Sequence, residues 1–243
     1  MKNVAPKCGS SDKRNVEYLK AFSPQKFFYS LVTQSAPTIL DVGAHRGESV
    51  RFFKEVFPEC KIYSFEPDPD NFEELEKCCV EINTAFGGEA VAINQAVGNQ
   101  SGLVQFFKQD ISHLGGLLPI NKRSEDSLGY AEKALNQSIS VQAITLDQFF
   151  IENRLQHIDL LKIDVQGFEA VVLNGAKKVL QETTCCTVEV SFYDFYEDSS
   201  SLLLVEQAMR DAGMILWDIS KVSKNPKNLR TDWAELVYVR RGQ

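Results

Sequence analysis

A five-residue apolar run, Thr38-Ile39-Leu40-Asp41-Val42, opens directly into Gly43-Ala44-His45-Arg46-Gly47 and then into a stretch with helical spacing. No other feature constrains the fold as strongly. A buried strand that turns through glycine into a helix meets its next parallel partner only after a crossover, which commits the chain to βαβ units. The alternation continues. Residues 48–57 place Val50, Phe53, Val56 and Phe57 on one helical face before Pro58 stops them. Residues 61–65 read as a strand, and residues 70–80 as a helix with Phe72, Leu75 and Cys79 inward. Strands follow at 90–97 and 103–108, joined through Gly98-Asn99-Gln100-Ser101-Gly102, then a strand at 139–144 and a helix near 146–153. Residues 158–165 are the most apolar strand and take the centre of a sheet. A helix at 168–180, a strand at 186–192, a helix at 202–212 and strands at 214–219 and 236–240 complete the series. The expected fold is α/β, a doubly wound, mostly parallel sheet that ends in an antiparallel hairpin at one edge.

The chain has 243 residues, 44% hydrophobic and 24% charged, which suits a globular core and argues against bulk disorder. Residues 36–243 read as one domain. Residues 1–35 read as a helical extension broken at Pro24. The net charge of −7 argues against a general nucleic-acid or anionic-membrane binder. The charge is uneven. Residues 1–35 hold six bases against Asp12 and Glu17, a local +4, so the remainder carries −11. A solvated helical extension explains that segment; a cover for an acceptor site is the sharper alternative. Residues 1–26 are interrupted by charge and lack the apolar core of a signal peptide, and no stretch is long and apolar enough to span a membrane. The six cysteines include the adjacent pairs Cys78-Cys79 and Cys185-Cys186 and no C-x-x-C, a pattern of buried reduced thiols. These features together point to a soluble cytoplasmic protein. Residues 110–138 have weak periodicity and read as a lid or acceptor loop, with a short helix near 124–136.

The glycine turn lets backbone amides approach a ligand at the carboxyl end of the sheet, where open α/β folds bind. His45 stands where a dinucleotide fingerprint needs its second glycine, so a pyrophosphate is disfavoured. Glu66, in Phe65-Glu66-Pro67, lies 23 positions after Gly43 at the tip of the second strand, where an acid accepts hydrogen bonds from a ribose diol. Asp41 and the missing glycine suit a nucleoside that carries a positive group. S-adenosylmethionine fits, with its ribose at Glu66, its amino-acid portion over Gly43–Gly47, and its sulfonium near the ends of the first and fourth core strands. Gln95 and Ala96, past the third strand, are placed to meet adenine.

Four segments occur in the order Asp41-Val42-Gly43-Ala44-His45-Arg46-Gly47; Phe65-Glu66-Pro67; Ile158-Asp159-Leu160-Leu161-Lys162-Ile163-Asp164-Val165-Gln166-Gly167-Phe168-Glu169; and Val172-Leu173-Asn174-Gly175-Ala176. With Glu189-Val190-Ser191-Phe192 they resemble the FkbM-type S-adenosylmethionine-dependent methyltransferases over roughly residues 36–195. The resemblance implies a Rossmann-like class I methyltransferase fold with seven strands, the last antiparallel. It implies O-methylation, often on a sugar, glycolipid or polyketide-like product. His45 departs from the family's usual Asn, and Gln166 from the Glu of many members.

Methyl transfer is an in-line displacement in which the protein aligns the reactants and takes a proton. A hydroxyl is a poor nucleophile, so a general base is expected. Asp164, at the end of the central strand, stands where the methyl group would sit; capping the following helix is its structural alternative. Glu189 ends the next strand and could hold the acceptor, or serve a structural ion pair. His113, beside Gly115-Gly116, could be the base once the loop closes, or a plain surface histidine. His157 reads as structural. Tyr193, Phe195 and Tyr196 could stack on a sugar ring or pack in the core. Asp164 and Glu189 alone are too few hard ligands to claim a magnesium site, although some class I enzymes carry one. The sequence fixes neither the oligomeric state nor the acceptor atom. An N-methyltransferase acting on a small amine and a non-catalytic cofactor-binding protein stand as alternatives to a small-molecule or glycan O-methyltransferase.

Overall fold

The computed structural model describes residues 11–240. Two helices come first, α1 (Ser11–Ala21) and α2 (Pro24–Leu31), followed by β1 (Thr38–Val42), α3 (Glu48–Val56), β2 (Lys61–Phe65), α4 (Pro69–Ala85) and β3 (Glu89–Ile93). The middle of the chain forms β4 (Ala96–Val97), β5 (Gly102–Lys108), β6 (Gln137–Ile144), α5 (Leu146–Glu152) and β7 (Ile158–Ile163). The last third is α6 (Glu169–Asn174), α7 (Lys177–Gln181), β8 (Thr183–Ser191), α8 (Leu202–Asp211), β9 (Met214–Lys224) and β10 (Thr231–Arg240).

Seven strands form the main sheet in the order β3-β2-β1-β7-β8-β10-β9. The five from β3 to β8 are parallel, and β10 runs antiparallel to both of its neighbours. The order reverses between β1 and β7, which creates the crevice where such sheets bind ligands. β7 is central and apolar: Ile158, Leu160, Leu161 and Ile163 are buried. On one face α5–α8 pack Phe149, Phe150, Val172, Val179 and Val205 against Leu161 and Ile163. On the other, Phe28 of α2, Phe53 of α3 and Leu75 of α4 pack on Ile39, Ile62 and Leu160. The expected class I methyltransferase fold is therefore present, with the hairpin at one edge and β9 outermost.

Four local expectations need correction. Residues 90–97 are not one strand. β3 ends at Ile93, and β4 joins a separate three-stranded sheet, β4-β6-β5. The break is fixed by Asn94, whose amide donates to the carbonyls of Glu66 at 2.9 Å and Pro67 at 3.3 Å. The helix expected over 168–180 divides at Gly175, where any Cβ would lie 2.1 Å from the carbonyl oxygen of Gly98. Residues 124–136 form turns instead of a helix. The Asp126 carboxylate accepts from the N–H groups of Leu128, Tyr130 and Ala131, a side-chain alternative to helical bonding. The closing hairpin is also longer than its apolar runs, because polar residues 220–224 and 231–235 continue the ladder.

The extension is two helices, as expected of its Pro24 break. Ser23 caps α2 by accepting from the Lys26 N–H at 3.2 Å, and Pro24 occupies the first turn, where its missing donor costs nothing. Phe28 is buried against Phe52 and Phe53. α1 buries no residue, and Tyr18 donates a hydrogen bond to Asp218 of β9 at 3.1 Å. Residues 1–10, including Cys8, lie outside the described residues. The other five cysteines are buried and unpaired. No helix among the described residues is long and apolar enough to cross a membrane.

Candidate active site

The turn after β1 is held down on β2. The N–H groups of Gly43 and Ala44 both donate to the carbonyl of Phe65, at 3.1 and 3.0 Å. Gly43 has φ +82°, and a Cβ there would lie 1.8 Å from the Asp164 carbonyl oxygen, so only glycine lets β1 and β7 run this close at their tips. His45 follows with φ +50°. That left-handed conformation is one that Asn and His adopt more readily than most residues, which explains how His serves where the resembling family uses Asn.

Glu66 sits at the centre of this turn. Its carboxylate accepts from the backbone N–H of His45 at 2.9 Å and of Asp68 at 2.8 Å. Burial pushes its pKa up to about 8, and those two donors oppose the shift. His45 is oriented from both sides, with Nδ1 3.0 Å from Glu48 Oε1 and Nε2 2.8 Å from the Ser112 hydroxyl.

A cavity of about 780 Å³ runs across the carboxyl ends of the strands. Gly43, Ala44, His45, Glu66, Pro67, Gln95 and Ala96 line it, and so do His113, Asp164 and Glu189. Two expected cofactor residues do not. Asp41 is fully buried beneath the turn, where it accepts from Ser49 at 2.5 Å and stands 3.2 Å from the Lys162 ammonium. Gly47 has φ +94° and faces helix α4, where a Cβ would meet the Cys78 sulfur at 2.6 Å. Both shape the turn from behind and neither touches the cavity. His157 is structural, with Nε2 2.8 Å from the Thr184 hydroxyl. The described part of the basic extension, residues 11–35, lines no part of the cavity, so it does not cover an acceptor site there.

Asp164 caps no helix: α6 has Phe168 at its N-cap, without a side-chain bond. The Asp164 carboxylate instead accepts from the Gln166 amide at 2.9 Å and stands 3.8 Å from Lys162. The Gln166 oxygen in turn accepts from the Tyr196 hydroxyl at 2.6 Å. Tyr196 Oη lies 3.2 Å from the carbonyl of Leu114, in the short 3-10 turn (Ser112–Leu114) that carries His113. This chain ties the irregular loop to the end of β7. Phe195 and Tyr196 are buried in a small core beneath the loop, with Tyr193 packed against it, and all three border the cavity.

The charges are unevenly balanced. Burial alone would lower the Lys162 ammonium, but Asp41 and Asp164 outweigh it and hold it above its usual range. Glu189 has no cation within 4 Å among the described residues, which removes the structural ion pair. Burial, then Asp164 and Glu169, push its carboxyl well up. Burial and the neighbouring His45 hold His113 below the ordinary imidazole range, so it is neutral at pH 7. No group of three or more His, Cys, Asp or Glu among the described residues is arranged to hold a metal ion.

Sequence reasoning missed Lys162, Ser112 and the Gln166–Tyr196 link. Lys162 had a signal, a lysine inside an otherwise apolar central strand. Ser112 and Tyr196 had none, because their partners are 67 and 30 positions away.

The 2-O-methyltransferase NoeI of Sinorhizobium fredii is 29% identical over 176 residues, 69% of each chain. The hexuronic acid methyltransferase AglP of Haloferax volcanii is 24% identical over 132 residues; the match takes in 54% of this chain and 48% of that one. Among solved structures, an rRNA methylase from Streptococcus thermophilus matches with a TM-score of 0.49 at 8% identity, over 89% of this chain and 93% of that one. The methyltransferase FkbM domain matches residues 41–216, from the buried acid of the first glycine turn into β9, and the chain belongs to that family.

Proposed function

We propose that this protein is an S-adenosylmethionine-dependent O-methyltransferase whose acceptor is a hydroxyl of a sugar or glycoside. One observation supports the reading above the others. Glu66, the Gly43–His45 turn, Asp164 and Glu189 line a single cavity of about 780 Å³, within the range of sites that enclose a small ligand and its substrate. The donor set fits the cofactor. Glu66 spends one lone pair of each oxygen on a backbone N–H and keeps others for a ribose diol. The acidic strand ends suit a cationic sulfur. The named 2-O-methyltransferase activity of NoeI supports transfer to oxygen, and the named hexuronic acid activity of AglP supports a sugar acceptor.

When bound, the cofactor supplies a methyl group on a good leaving group. The protein's own residues then do three things. Gln166 holds the Asp164 carboxylate at the end of β7, where it would help to orient the cofactor or the acceptor. Glu189, held protonated by its buried, acidic surroundings, can donate a hydrogen bond that holds the acceptor. His113, neutral at pH 7, can take the proton that the attacking hydroxyl loses.

The test is calorimetry with S-adenosylmethionine, S-adenosylhomocysteine and NAD, followed by transfer of a labelled methyl to sugar hydroxyls. Binding of the first two and label on oxygen are expected. Binding of NAD alone would overturn the reading, and label on nitrogen would replace the acceptor class.

A further inference from the structure

The lining of the cavity continues past the Glu66 turn and Asp164 to a far end where β8 meets the β9–β10 hairpin. The strand register aligns one face across that boundary. Asp164 follows Ile163, the partner of Val188, which brings it beside Glu189. Ser191, two residues on from Glu189, pairs with Trp233, and Trp233 pairs with Ser223. Paired residues share a face and alternate residues return to it, so Glu189, Ser191, Trp233 and Ser223 form one row leading away from Asp164. All four line the cavity. The Lys221 ammonium stands 4.9 Å from the Trp233 ring centroid and helps fix the indole. Arg230 lies 4.1 Å over the Tyr193 ring and donates to the Glu125 carbonyl at 2.8 Å, which holds down the loop segment whose Asp126, Ser127, Leu128 and Tyr130 also line the cavity.

We propose that this far end is the acceptor subsite and that Trp233 is the platform on which a pyranose ring of the acceptor stacks, with its reactive hydroxyl directed back toward Glu189 and Asp164. The proposal rests on the methyltransferase reading of the inner end. An indole offers a flat apolar face to the C–H side of a sugar ring. The serines at positions 191 and 223 and the Lys224 ammonium offer hydrogen bonds to its hydroxyls. Lys224, which donates to Thr231 at 2.6 Å, has no carboxylate within 4 Å among the described residues, so its charge also suits a sugar that carries a carboxylate. The polar stretches of β9 and β10, which no apolar pattern announces, extend the hairpin far enough to bring these groups to the site.

The chain has two tryptophans, and Trp217 is exposed on β9 and outside the cavity. In Trp217→Phe the fluorescence therefore reports Trp233 alone. With S-adenosylhomocysteine present, titration with a panel of methyl pyranosides, neutral and uronic, is expected to change that emission. The pyranoside that does so should also accept labelled methyl. Trp233→Ala should raise the acceptor KM roughly tenfold or more, the size of one lost aromatic contact. Trp233→Phe should recover most of that loss, and both variants should bind S-adenosylhomocysteine as the parent does. A silent Trp233 with every pyranoside, or an unchanged KM in Trp233→Ala, overturns the subsite even when the cofactor product binds. Loss of S-adenosylhomocysteine binding by the parent protein would instead overturn the methyltransferase reading.

Discussion

Glu66 and His113 illustrate how differently single residues are tied to the site. Glu66 is held by two backbone donors at a fixed tip, so replacing it tests binding with little rearrangement. Glu66→Gln should weaken S-adenosylhomocysteine by roughly tenfold or more, because the amide turns a donor toward one of those N–H groups and loses charge against the ligand; calorimetry at pH 8.5 checks it. His113 belongs to a loop, and its expected effect is on turnover. His113→Ala should lower kcat by about 10²–10⁴-fold while leaving cofactor affinity unchanged, measured by labelled methyl transfer. Glu66 was legible from its spacing after Gly43, since a parallel βαβ unit sets where the second strand tip falls. Asp41 and Gly47 were legible as parts of the turn, but not as residues that lie behind it: a motif shows that a turn needs certain residues, and does not show which line the cavity and which face the core.

At the scale of elements, the join between the two sheets is the most demanding. Gly175 passes so close to Gly98 that α6 and α7 divide there, and Gly175→Ala should destabilise the fold by about 2 kcal/mol or more, read from denaturant unfolding. α2 behaves as part of the core, unlike α1. Phe28→Ala should cost about 3 kcal/mol in the same measurement, and no loss would separate the extension from the domain. The helices and parallel strands were legible because burial enforces their periodicity. The hairpin's polar half, the split of 90–97 and the turns of 124–136 were not. Each is decided by hydrogen bonds from Asn94, Asp126 or a partner strand to backbone groups, and such bonds leave no repeating pattern in the sequence.

For the whole molecule, the strand ends gather acids at one crevice. Burial pushes Glu66 up to about 8 and Glu169 up to about 7, and Glu189 rises with them. A carboxyl whose folded pKa exceeds its unfolded value binds more protons in the native state, so its stabilising contribution is full below the unfolded pKa and fades as pH rises through the folded one. The ligand-free protein should therefore lose stability relative to a Glu66→Gln, Glu189→Gln double variant as pH rises from about 5 to about 9. Melting temperatures across that window check the sign, and a gap moving the other way would contradict the burial of these groups. A cation bound at these strand ends would favour the ionised carboxylates and pull the raised pKa values back down.

The sequence by itself determined the doubly wound sheet, the glycine turn, the acid at the tip of β2 and the family, because these depend on local periodicity and on short, fixed spacings. Only the tertiary structure decided which of those residues face the cavity, that Lys162 lies between Asp41 and Asp164, and that Trp233 shares a face with Glu189. Those relations arise from strand register between segments tens to hundreds of positions apart, and register is set by the packing of the entire sheet.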